Sequence, residues 1–228
     1  MNLTIDRRYR GPPDSGNGGY VCGLIAATLR ADVQVRLVTP PPLGTILSLE
    51  QADGGWELRS EAGPVARATP ARLELEVPPP PQYVQAVWAS QHYAGFREHN
   101  FPECFVCGPH RRRGDGLRIF AGRLESGIVA APWLPADALD GGDGKVAPEF
   151  HWAALDCPGY FAVTAGRRPM LLGEMHAHVD RRVHVGESCI VIGWRIDVDG
   201  RKHRAGTAIF DEDGELCARA RATWIELR

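Results

Sequence analysis

In the stretch FHWAALDCPGYFAV, residues 150–163, Asp156 is the one carboxylate among otherwise uncharged side chains. An isolated ionised carboxylate is costly to bury, so it must be paired, protonated or used in chemistry. The structural readings are a cap for a short helix or a partner for a buried Arg. A second group of interest opens NGGYVCGLIAATLR, residues 17–30, where Gly18 and Gly19 start an apolar, helix-forming run. A helix start carries unpaired N–H groups and a dipole that favours negative charge, and glycine lets a ligand come close. Their structural reading is a tight turn into the helix, and Asn17 suits the cap of that helix. Cys104 and Cys107 form a Cys-x-x-Cys pair in FPECFVCGPH, a spacing used by zinc half-sites and redox pairs and also by plain turns. A zinc site needs two more ligands, and His110, Cys157 or a distant His would have to supply them. No second Cys-x-x-Cys exists, so the favoured reading is a turn with two half-buried thiols, and neither a metal nor a cofactor is expected.

The remaining candidates read as structural. His176 and His178 alternate and so share one face of a strand, but no carboxylate or thiol at matching spacing completes a metal site. His151 lies five residues before Asp156, about 140° away around a helix, and is a poor partner for it. The basic clusters RRRGDG and GRKHRAG read first as solvated loops; contact with ligand phosphates is the alternative.

The elements that must position these residues occur twice. After the helix at 17–30, and after its counterpart at 147–157 with Pro148 suited to the first turn, alternating β-branched stretches follow, separated by Gly and Asp turns. VARA at 65–68 lies over CARA at 217–220, and LEL at 73–75 over IEL at 225–227, both 152 residues apart. Val33, Val35 and Leu37 match Met175, Ala177 and Val179 at an offset of 142, as Gly44 matches Gly186. Similar ends with one change of length suggest duplication. In the second half the turn signals predict strands at 116–121, 127–133, 173–182, 187–198, 202–211 and 215–227, with Asp-Gly hairpins at Gly200 and Gly214. An antiparallel sheet must bury one face, and the apolar helix is the available cover. The proline run EVPPPP at 76–81 reads as a stiff connector.

Composition narrows the function classes. With 26 basic and 28 acidic side chains among 228 residues the net charge is −2, so no global field favours nucleic acid or an anionic membrane. No apolar run reaches membrane-spanning length, and MNLTIDRRYRGPPDSG lacks the apolar core of a signal peptide. A cytoplasmic protein is expected. The six cysteines are scattered, which argues against a disulfide framework.

Three passages resemble the hotdog-fold acyl-CoA thioesterases, in particular the PaaI-like branch and double-hotdog proteins. CFVCGPHRRRGDGLRIF, 104–120, is similar to the Cys-Phe-x-Cys-Gly … Gly-Leu opening of PaaI-like proteins. APEFHWAALD, 147–156, falls in the register of their His-Gly-Gly-x-x-x-x-x-x-Asp helix, and NGGYVCGLIAATL, 17–29, resembles the Asn-Gly-Gly-Tyr helix start of thioesterase-like N-terminal units. The resemblance implies an α+β fold of two tandem hotdog units, each an antiparallel sheet wrapped around a long central helix, packed as an intramolecular pseudo-dimer. The expected organisation is a unit at 1–76, a linker at 77–103 and a unit at 104–228.

In the family register Pro148 and Glu149 stand where the glycines would be, and Ala26 stands where the acid would be. The first half keeps the glycines and the second the acid. If the units pack as such dimers do, the resemblance implies one composite site per chain. There the Gly18 and Gly19 amides would polarise a thioester carbonyl, and Asp156 would act as general base or nucleophile. Asn17 occupies the family's His position and would donate to the same oxygen, or simply cap the helix. The implied activity is hydrolysis of an acyl-CoA or acyl-carrier-protein thioester. The alternative is a non-catalytic acyl-thioester or fatty-acyl binding protein. A hotdog dehydratase ranks below both, for want of a His placed with the acid. No nucleic-acid or membrane partner is expected, and association of such chains into homo-oligomers is compatible with the fold.

Overall fold

The computed structural model describes residues 1–164 and 169–227. Its first half runs β1 (Asn2–Thr4), a helical turn at Arg7–Tyr9, α1 (Gly18–Leu29), β2 (Val33–Leu37), β3 (Ile46–Ala52), β4 (Gly55–Ser60) and β5 (Gly63–Pro70). After α2 (Tyr83–Gln91) come β6 (Gly122–Arg123), β7 (Val129–Trp133), a helical turn at Asp137–Leu139, α3 (Pro148–Ala154) and α4 (Cys157–Val163). Four long strands complete the chain: β8 (Met170–Val179), β9 (Cys189–Asp199), β10 (Lys202–Phe210) and β11 (Leu216–Glu226).

All these strands form one antiparallel sheet in the order β1-β3-β4-β5-β2-β8-β11-β10-β9-β7-β6. The two halves of the chain meet at β2 and β8, where Gln34, Val35 and Arg36 pair with His176, Met175 and Glu174. Gln34 and His176 are themselves counterparts in the sequence repeat, so the seam runs through equivalent positions.

The repeat extends to single hydrogen bonds. Asn17 N donates to Tyr9 O as Ala147 N does to Leu139 O, and Gly11 N to Ser15 O as Gly141 N does to Lys145 O. Gly16 N donates to Pro41 O as Val146 N does to Val183 O, and Gly44 N to Ile5 O as Gly186 N does to Pro135 O. The same backbone frame is therefore built twice around the start of a helix.

α1 matches the expected helix. Asn17 caps it, its side chain accepting from Tyr20 N, and Arg30 ends it in the left-handed region at φ 51°. Its second-half counterpart is broken: α3 stops at Ala154 and α4 begins at Cys157. Pro158 explains the break, since it has no N–H to give the carbonyl four residues back, at Ala154, and its ring crowds that carbonyl. β8, β9, β10 and β11 fall within three residues of the expected strands, and Gly200 and Gly214 take the positive φ their turns require (58° and 82°). The strand expected at 116–121 does not form. Those residues run without regular structure, although Ile119 N donates to Val106 O, and pairing begins only at Gly122.

The core lies between α1, α3 and α4 and one face of the sheet, with Val35, Met175, Val191 and Ile209 pointing inward. α1 and α3 meet at glycines: a Cβ on Gly23 would come within 2.6 Å of Trp152 Cβ and 2.8 Å of Glu149 Cα. Residues 77–103, expected as a linker, contain α2, whose Ala86 and Ala89 pack with Ala130, Ile192 and Ala208 in a separate cluster. Ala130 alternates with the core-facing Val129 and Ala131, so α2 covers the opposite face of the second-half strands. Among the described residues no helix is long and apolar enough to cross a membrane.

Candidate functional site

The start of α1 and the break between α3 and α4 come together. Asp156 Oδ2 accepts from Gly19 N at 3.0 Å and from Asn17 Nδ2 at 2.6 Å. Three of the expected site residues therefore form one cluster drawn from both halves of the chain. Glycine at 19 is a packing requirement, because a Cβ there would lie 2.5 Å from Asp156 Cβ and 2.7 Å from Trp152 O. The atoms nearest to where a Cβ on Gly18 would stand belong to the side chains of Leu172 and Leu37, and its N–H has no partner among the described residues.

Asp156 is 2% exposed, and its Oδ1 has no hydrogen-bond partner among the described residues. Burial pushes its pKa up to about 7; the Gly19 N–H and Asn17 amide oppose that rise, and negative charge on Cys104 would add to it. No arginine among the described residues pairs with it. The break in the helix places this acid: with Asp156 at the head of α4, its carboxylate points back towards α1. The carbonyl of Leu155, left without a helical partner by the break, accepts from the buried Thr207 hydroxyl at 2.8 Å.

Two expectations change with this geometry. Asn17 does cap α1, but its amide donates to Asp156 and also lies 3.8 Å from Cys104 Sγ, so both ends of the side chain are engaged. Gly19 N–H is likewise committed to Asp156, which leaves the Gly18 N–H as the open donor at the helix start.

Gly18, Asn17 and Asp156 line a cavity of about 1160 Å³. Tyr93, Phe96, His99 and Phe101, from the segment expected as a linker, form part of its wall, and Leu172 and Trp224 come from the sheet. Sequence reasoning missed them. The visible signal was the aromatic density of HYAGFREHNF, directly after a helix-forming stretch.

Other candidates are separate from the Asp156 cluster. His151 Nε2 accepts from Val183 N at 3.0 Å, and its Nδ1 faces Ala147 O at 3.3 Å. His176 is buried in β8, whereas His178 Nδ1 lies 3.3 Å from Asp32 Oδ1. In RRRGDG, Arg111 is a structural residue, donating to Glu103 O, Arg8 O and Asp115 Oδ2. Of the second basic cluster, Arg201 reaches the cavity wall. The pair Cys104 and Cys107 is fully buried rather than half-buried, and Cys157 joins it: the three sulfurs lie within 4.8 Å of one another.

Comparison with known proteins bears on the fold. No protein-family description and no curated protein matches the sequence. Solved structures do match. A tesB protein of Mycobacterium avium subs paratuberculosis is 12% identical, with a TM-score of 0.60 over 100% of this chain and 92% of that one. A candidate thioesterase of Novosphingobium aromaticivorans is also 12% identical, with a TM-score of 0.61 over 100% of this chain and 95% of that one. At such identity the likeness is one of fold. From end to end, the chain shares the fold of these two proteins, in keeping with the hotdog-type fold that its sequence passages lead one to expect.

Proposed function

We propose that the chain hydrolyses an acyl-CoA or acyl-carrier-protein thioester at one composite site between two hotdog units, residues 1–76 and 104–228, packed as a pseudo-dimer. The observation that carries this reading is the contact of Asp156, from the second half, with Gly19 N–H and Asn17 at the head of α1. The repeated backbone frame and the seam between β2 and β8 support the pseudo-dimer.

In the proposed mechanism Gly18 N–H, at the positive end of α1, donates to the thioester carbonyl oxygen as negative charge develops there. Gly19 N–H and Asn17 hold the carboxylate, and Oδ1 takes a proton from an attacking water. The hydroxide so formed adds to the carbonyl carbon, the C–S bond breaks, and the departing thiolate takes the proton from Asp156 and leaves as the thiol. The pseudo-equivalent site, with Ala26 and Glu149 in place of acid and glycine, is inactive on this reading. The cavity accommodates the acyl chain against Phe96, Phe101 and Leu172. A cytoplasmic enzyme acting without a nucleic-acid or membrane partner accords with the composition.

Release of free thiol from a panel of acyl-CoAs tests this. Asp156→Asn is expected to lower kcat by about a hundredfold or more with the fold intact. Equal turnover by the Asn variant would sink the role of Asp156. One observation favours a binding protein instead: Gly19 N–H, the expected carbonyl donor, is taken by Asp156. Tight acyl-CoA binding with no thiol release would establish that second reading.

A further inference from the structure

Three buried thiols have no part in the chemistry above. Cys104 and Cys107 come from the loop after residues 77–103, and Cys157 is the first residue of α4. Cys104 Sγ lies 3.7 Å from Cys157 Sγ, and all three sulfurs are within 4.8 Å of each other. A tetrahedral ion with bonds of about 2.3 Å holds its sulfur ligands about 3.8 Å apart. The spacing therefore fits a shared ion.

The turn that carries the first two cysteines is tightly closed. Gly108 N donates to Cys104 O at 2.9 Å, and a Cβ on Gly108 would stand 2.6 Å from Cys104 N and O, so the turn closes only on glycine. Asn17 Nδ2 approaches the Cys104 sulfur at 3.8 Å. His99 Nδ1 accepts from Phe101 N at 3.0 Å, so the proton of the neutral ring sits on Nε2, which lies 3.3 Å from Cys107 Sγ. Side-chain donors from Asn17 and His99 thus reach two of the three sulfurs, a contact that suits sulfur bound to a metal ion.

We propose that Cys104, Cys107 and Cys157 bind one Zn²⁺ as thiolates, with the fourth position open to the cavity. Each thiol releases its proton as its sulfur–zinc bond forms. An all-sulfur set selects zinc over hard divalent ions. His99 and Asn17 serve the ligand sulfurs as hydrogen-bond donors and are positioning residues, not ligands. The ion would tie the Cys-x-x-Cys loop to the helix break that carries Asp156. The inference does not depend on thioester hydrolysis.

The test uses the full chain, expressed without a polyhistidine tag in zinc-supplemented medium and purified under reductant without chelator. Elemental analysis is expected to find close to one zinc per chain, falling about tenfold in Cys104→Ser and Cys157→Ser and retained in His99→Gln. X-ray absorption of the unaltered protein should show three sulfurs at about 2.3 Å, and it decides the matter if the serine variants fail to fold. Less than about a tenth of an equivalent of zinc after titration under reducing conditions would overturn the proposal. So would a disulfide between any two of these cysteines in freshly lysed protein. Loss of zinc in His99→Gln as complete as in the serine variants would overturn the three-sulfur assignment.

Discussion

A buried carboxylate with one oxygen held by two donors and the other unpartnered is an unstable arrangement unless the fold holds it. Gly19 N–H and Asn17 hold Asp156 Oδ2, and the missing Cβ at Gly19 makes the approach sterically possible. His151 shows the opposite case, a buried base held neutral. Burial pushes its pKa down to about 4; the contact with Ala147 O and the Glu187 carboxylate oppose that shift, and the charges of Arg182 and Arg181 reinforce it. Val183 N–H donates to Nε2, so protonation would set two donors against each other. An unfolded histidine titrates near pH 6.5, so this stabilisation is fully present above that pH and is lost as pH falls towards 4. The loss should reach about 3 kcal/mol at acid pH. Asp156, pushed up to about 7 by burial, works in the opposite sense over the same window, favouring the folded state as pH falls below 7. The His151 part is therefore read as the change that His151→Asn makes to the urea-unfolding difference between pH 7.5 and 4.5; no change would remove His151 as the cause.

At the level of elements, the interruption between α3 and α4 decides where the acid goes. An uninterrupted helix through 147–163 would carry residue 156 along a regular spiral, whereas Pro158 stops α3 at Ala154 and starts a second helix at Cys157. The break leaves Leu155 O without an intrahelical partner, and Thr207 on β10 supplies one. Thr207→Val keeps the shape and removes the hydroxyl, so a buried carbonyl is left unsatisfied at a cost of about 1–3 kcal/mol. A thermal or urea midpoint equal to that of the unaltered protein would show that the carbonyl finds another donor. The alanines of α2 act on the other side of the sheet, where they cover the outer face of β7, β9 and β10 and make those strands two-sided.

For the whole molecule, the two halves share a seam and a core. Gln34, Val35 and Arg36 pair across it, and the glycine face of α1 packs on α3. Neither helix is buried by its own strands alone, so unfolding is expected to be a single transition in both far-UV circular dichroism and tryptophan fluorescence. Gly23→Val would drive a side chain into Trp152 and Glu149 and lower the midpoint of both probes together, by about 1–3 kcal/mol. Separate transitions for the two probes would contradict the shared core.

Much of this was legible in the chain itself. Local rules suffice for α1 with its Asn17 cap, for the Asp-Gly turns at Gly200 and Gly214, and for the long alternating strands, because capping, turn geometry and period-two burial act over a few residues. The repeat was visible too, through VARA and CARA and the paired valines of β2. Other features needed contacts between distant segments. The 77–103 segment reads as a connector from its prolines, but α2 forms there because the strands behind it offer an apolar outer face. The strand expected at 116–121 fails because its backbone bonds to the Cys-x-x-Cys loop, as Ile119 N does to Val106 O, instead of to a neighbouring strand. The union of Gly19, Asn17 and Asp156, and of Cys157 with Cys104 and Cys107, comes from the packing of α1 on α3 and of the loop on α4. Sequence sets which groups are available; only the tertiary fold brings residues more than fifty positions apart within hydrogen-bond reach.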